Sequence, residues 1–148
     1  AVALFFTRVA FGNLTDDESN WRFVQHVLAM DTIFEDSTLR WRAITDPTLQ
    51  EMAYWTIIVW EVLTALVLWW GTVRLLFRTG EAQRFQNSKS VAVVGLTLGA
   101  LLYGLGFLVI GGEWFAMWQS PIWNGQEAAT RFLVLIGFAT LLLLLEDR

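Results

Sequence analysis

Two uninterrupted apolar runs constrain this chain more than any other feature. Met52 to Val73 is 22 residues with a single charge, Glu61, and Val91 to Gly112 is 22 residues with none. Each exceeds the roughly 20 residues a helix needs to cross a hydrocarbon core of about 30 Å. No water is available there to satisfy a backbone, so both runs must be helices. The remainder of the chain agrees: of 148 residues 55% are hydrophobic and only 16% charged, well short of the roughly 25% charge of a soluble domain.

Two further segments complete the expected membrane domain. Asn124-Gly125-Gln126-Glu127 reads as an N-cap with Glu at N3, so a helix should begin at Gly125 and run to Leu145, carrying Arg131 inside it. Residues 1–14 are apolar but would cover only about 21 Å as a helix, and the expectation is a first spanning helix that the sequence enters partway along. The fold class expected is therefore all-α, an integral membrane four-helix bundle with a truncated first helix, forming one domain over residues 1–148. Its spans are placed at 1–14, 47–76, 90–112 and 125–146, with external segments at 15–46 and 113–124 and a cytoplasmic loop at 77–89.

Orientation follows from basic residues. The stretch Phe77 to Ser90 holds Arg78, Arg84 and Lys89, with Arg74 just before it, whereas Glu113 to Ala128 holds no Lys or Arg. Positive residues stay in the cytoplasm, which puts both termini inside. The connection Gly12 to Met52 carries eight acids against three arginines and faces outward. Within it, Thr15-Asp16-Asp17-Glu18 can start a helix, and Trp21, Val24, Val27 and Leu28 recur at helical spacing. An amphipathic helix over 16–30 should rest on the membrane or the bundle top. A second short helix is expected at Ser37–Ile44, and Asp46-Pro47 supplies an N-cap and an N1 proline for the second span.

Composition removes whole classes of chemistry. With no Cys there are no thiolate nucleophiles, iron–sulfur clusters or zinc ribbons, and with one His no facing pair of haem ligands. A net charge of −4 with scattered Lys and Arg argues against nucleic acid. No phosphate loop, metalloprotease helix or nucleophile elbow is present, so neither catalytic residues nor a metal or other cofactor is expected.

The polar candidates are the charges within the spans, since an ionised group there is costly unless paired or hydrated. Glu61, Arg131 and Arg8 fall at similar depth in the outer half, about 14, 9 and 9 Å in, and the expectation is that Glu61 is held by Arg131, Arg8 or both. The third span carries Gly95, Gly99, Gly104 and Gly106, the first two at the spacing that lets helices approach closely. Trp114, Trp118 and Trp123 concentrate aromatic surface at the outer interface. They form either an anchoring belt or, with Glu113 as polar handle, a contact surface for a lipid, a quinone or a partner. His26 is expected to be a packing residue, and Asn13-Leu14-Thr15 matches a glycosylation acceptor.

Several long strings carry a family resemblance: Phe11-Gly12-Asn13-Leu14-Thr15-Asp16, Phe23 to Thr32, Trp41-Arg42-Ala43-Ile44, Gly111 to Ser120 and Trp123-Asn124-Gly125-Gln126. Together they resemble a bacterial family of predicted small integral membrane proteins known only as a domain of unknown function. The resemblance implies a four-helix protein of the bacterial cytoplasmic membrane with a longer first helix, and no activity. The acidic Asp16-Asp17-Glu18 departs from the less charged pattern there. The function expected is a non-catalytic accessory or scaffold subunit beside a larger membrane complex, its partners the bilayer and other membrane subunits or further copies of itself. The alternative is a small transporter or channel acting as a homo-oligomer, and a third is a quinone- or lipid-binding enzyme using Glu113.

Overall fold

The computed structural model describes residues 1–145, and every regular element among them is helical. The helices are α1 (Val2–Thr15), α2 (Asp17–Ala29), α3 (Pro47–Leu76), α4 (Ala82–Leu101) and α5 (Gln126–Leu144), with a π-helical segment, Leu102–Trp114, continuing α4. Single 3-10 turns lie at Arg40–Arg42 and Met117–Gln119. Three helices are long and apolar enough to cross a membrane: α3, the continuous Ala82–Trp114 helix and α5. The shorter apolar α1 packs beside α3. The expected end of the last span at 146 lies outside the described residues.

Sequence accounts for the strong boundaries. Asp46 caps α3, its Oδ1 accepting from Thr48 N at 2.8 Å and Leu49 N at 3.2 Å, with Pro47 at the first helical position. At α5 the cap is shifted by one residue: Gly125 is the N-cap, and Asn124 instead turns the chain by accepting from Gln126 N at 3.1 Å. The basic stretch is shorter as a loop than expected, because α4 begins at Ala82 and lifts Arg84 and Lys89 onto its first turns. The short helix expected over 37–44 shrinks to the turn at Arg40–Arg42. There Arg40 donates to the carbonyls of Met30, Ile33 and Phe34 at 3.1, 3.1 and 3.2 Å, bonds that replace a helical ladder.

The half of the bundle away from the cap is close-packed. Phe6 is fully buried against Ala65, Leu68, Leu96 and Ile136. A Cβ on Gly99 would come within 2.7 Å of the Phe6 ring and one on Gly95 within 2.8 Å of Leu68, so both glycines are where other helices seat themselves. Gly71, on the opposing helix, is as tight and meets backbone: its Cβ would lie 2.7 Å from the backbone of Ala92. Gly104 and Gly106 serve differently, since a Cβ at either would meet nothing nearer than 3.9 Å.

At one end of the bundle the segments around 30–46 and 113–124 fold into one cap. Met30 and Ala116, both with positive φ (51° and 52°) and both buried, end their elements in left-handed turns. They share a small core with Val27, Ile33, Phe115 and Met117. Thr32 and Ser120 join hydroxyls at 2.8 Å, and Ser120 Oγ also accepts from Ile122 N and Trp123 N. Arg42 donates to Glu113 O at 3.4 Å and Trp114 O at 3.2 Å, a cation placed on the free carbonyls at a helix C-terminus.

Candidate functional site: a buried carboxylate beneath the cap

The buried stripe of α3 runs Tyr54, Ile58, Glu61, Ala65, Leu68, steps of three and four that keep one face inward. Glu61 is thus aimed into the bundle by helix geometry, and it is 2% exposed. Its Oε2 accepts from Asn13 Nδ2 at 2.6 Å, and the carbonyl of Asn13 accepts from Tyr54 Oη at 3.0 Å. One asparagine therefore joins two turns of α3 to the end of α1. A buried carboxylate with even one such donor is far less costly than an orphaned one.

The expected pairing with arginine is corrected by the structure. Arg8 is exposed, its guanidinium 5.5 Å from the Phe11 ring centre. Arg131 faces outward, 3.9 Å from Glu127 on its own helix. Depth had suggested the cluster, but azimuth decides against it. The inward residues of α1 are Phe6 and Ala10, and of α5 Ala129 and Ile136. Arg8 is two residues from both Phe6 and Ala10, and Arg131 two from Ala129. At about 100° per residue that turns each of them to the far side of its helix.

Glu61 borders a cavity of ≈ 230 Å³ lined also by Asn13, Asn20, Phe23, Tyr103 and Phe132. Tyr103, 3% exposed, comes from the start of the π-helical segment, its ring 5.1 Å from Phe132 and 5.6 Å from Phe107. A π-helix is wide and rare, and where it occurs it often marks function. Here it carries Tyr103, Phe107 and Gly111 past the cavity region and ends with Phe115 N donating to Ile110 O at 3.0 Å, a five-residue span.

A second cavity of ≈ 380 Å³ adjoins the first. Its walls are Val27 and Leu28 of α2, Ala53 and Trp60 of α3, and Leu102, Leu105, Gly106 and Ile110 of the π-helical segment, with Phe115 and Met117 of the cap. Phe23, Val24, Ile57 and Phe107 line both cavities. The two cavities thus share a wall, the larger one almost wholly apolar and the smaller one carrying the polar side chains, with Phe23 and Val24 of α2 on both.

The other candidates lie apart from it. Glu113, Trp114 and Trp118 are exposed on the outside of the cap and line neither cavity. Their aromatic neighbours tie the external segments together: Trp41 with Trp114 at 6.0 Å and Phe34 with Trp118 at 5.8 Å, both edge-on. Trp123 stacks on His26 at 4.8 Å, and His26 Nδ1 is 2.7 Å from Asp31 Oδ2, which makes His26 part of the cap's packing. Asn13 as a half-buried donor, and Tyr103 altogether, were not among the candidates expected from sequence. The signal was available in the inward spacing Phe6, Ala10, Asn13 and the Tyr103–Phe107 step. Among the described residues no three His, Asp or Glu side chains converge on a metal position.

Apolar spans around a hydrogen-bonded interior carboxylate define a small helical integral membrane protein. The chain belongs to the family described as predicted small integral membrane protein (DUF2165), whose model matches residues 1–146. No curated protein and no solved structure matches it.

Proposed function

We propose that this is a non-catalytic membrane protein that holds one amphiphilic molecule under its external cap. The observation that carries the reading is the adjacency of the two cavities, which share Phe23, Val24, Ile57 and Phe107 in their walls. A tail fits the chamber beside Trp60 and Leu105, and a head reaches Glu61, Asn13 and Tyr103. Ligand sites are typically apolar with a few convergent polar groups, and this combination is what the pair supplies. The test is mass spectrometry of an organic extract of the purified chain. One lipid or quinone in near one-to-one ratio, lost in Gly106→Leu, is expected; bulk lipid alone, unchanged by that substitution, contradicts the reading.

A second reading, compatible with the first, is that the protein works as an accessory subunit against a larger complex or a second copy. It is favoured by α5, which buries only Ala129 and Ile136 and leaves Val134, Phe138, Leu141 and Leu142 exposed. Native mass spectrometry after mild extraction tests it: a defined complex supports it, and the monomer in every detergent sinks it. A transport role would have to use Glu61 without the two arginines. The basic residues from Arg74 to Lys89 support a cytoplasmic side at that end, and we place the protein in a bacterial cytoplasmic membrane with both termini inside.

A further inference from the structure

The amphiphile reading, on which this rests, leaves the ligand's head open, and the polar groups of the smaller cavity restrict it. Glu61 uses Oε2 for Asn13, and among the described residues no hydrogen bond engages Oε1. In its ionised form a carboxylate only accepts, so the second oxygen then calls for a donor. The Tyr103 hydroxyl forms no hydrogen bond among the described residues, and the residue is 3% exposed. Tyr103 lines the same cavity as the carboxylate, and a phenol both donates and accepts. It can donate to a ligand oxygen.

We propose that the cavity of Glu61 and Tyr103 takes an uncharged, hydroxyl-bearing head on an apolar chain, the head donating to Glu61 and accepting from Tyr103. A hydroxyl is the simplest group that does both. An anionic head would face the Glu61 carboxylate with no arginine to offset it, because Arg8 and Arg131 point away. A quaternary ammonium would leave Tyr103 without an acceptor. The adjoining walls are aliphatic and aromatic, with Trp60, Leu102, Leu105 and Ile110 along them, and suit an alkyl or isoprenoid tail. Two sources share this chemistry, an isoprenoid hydroquinone and a glyceride with a free hydroxyl.

The experiment is calorimetric titration of the whole chain in nanodiscs, with empty nanodiscs as the blank. The probes are decyl hydroquinone, its dimethyl ether, dioctanoylglycerol and decanoate. The expected result is that a hydroxyl-bearing probe binds about tenfold or more tighter than the ether or decanoate, the scale of one hydrogen bond to a charged group. Whichever hydroxyl probe wins identifies the source. Glu61→Gln should remove most of that advantage while leaving the ether's affinity unchanged, whereas Tyr103→Phe should weaken the hydroxyl probe and the ether alike, because an ether oxygen still accepts from the phenol. Equal binding of hydroquinone and ether, or tightest binding of decanoate, overturns the head assignment. If that happens while Gly106→Leu abolishes binding of every probe, the amphiphile site survives and only the head is wrong. If no probe binds the wild-type chain, both fall. The probe series on the unmodified chain holds even where a variant fails to fold.

Discussion

Asn13 Nδ2 lies 2.6 Å from Glu61 Oε2, joining the last turn of α1 to the middle of α3 across 48 positions of sequence. The contact makes α1 more than a lipid-facing strip. Removing the amide should strand a carboxylate that is almost wholly buried. Asn13→Leu is expected to lower stability by about 1–3 kcal/mol, the cost of a buried polar group left unsatisfied. Glu61→Leu made in the Asn13→Leu background should recover much of it, since replacing both partners by apolar groups is nearly neutral. Unfolding in graded SDS measures both; equal losses in the single and double variants would mean that the pair carries no coupling.

The arginines within the spans should matter far less. Arg8→Gln and Arg131→Gln are expected to shift stability by no more than about 0.5 kcal/mol, as exposed charges usually do. The same SDS titration checks them. A loss from either as large as that of Asn13→Leu would restore the arginine cluster that the helix azimuths exclude.

Glycines should separate into two groups by what stands opposite them. At Gly71 an added methyl meets Ala92 backbone at 2.7 Å, so Gly71→Ala should cost about 1–3 kcal/mol by forcing α3 and α4 apart. Gly106→Ala has room, and its gain in helix propensity should leave stability level or slightly higher. Thermal unfolding in one detergent compares them, and a reversed order would contradict the packing.

The cap offers a separate test. Arg42 closes the carbonyl end of the π-helical segment through Glu113 O and Trp114 O, stacked at 4.7 Å over the Trp114 ring. Arg42→Gln should raise proteolytic nicking or amide exchange in residues 30–46 and 113–124 while the spans stay protected. Uniform loss of protection throughout would show that cap and bundle unfold as one unit.

How far these features were readable from sequence depends on whether they are one-dimensional. Spans are: a run such as Val91 to Gly112 states its own environment, and Asp46-Pro47 states where α3 starts. The amphipathic helix over α2 was likewise written in the spacing of Val24 and Val27. The partner of Glu61 was not, because matching depth along the axis says nothing of rotation about it. Only the inward sets Phe6–Ala10 and Ala129–Ile136 resolve that, and they become visible once the helices are placed together. The π-helical segment has no periodic signature either; its glycines read equally well as packing positions. The cavities depend on it, so the site stayed hidden while its individual residues were in plain view. Glu113 and the outer tryptophans attracted notice by density, yet the chamber is lined from the same stretch by Phe115 and Met117, on its inner side.

Location is the most direct test of an amphiphile site. An alkyl hydroquinone carrying a diazirine on its tail, photolysed with the whole chain in nanodiscs and mapped by peptide mass spectrometry, reports where the chain lies. Labelling of residues 53–60 and 101–111 that excess unlabelled hydroquinone suppresses is the predicted result. Labelling confined to lipid-facing positions such as Leu66 and Leu141, with no competition, would contradict it.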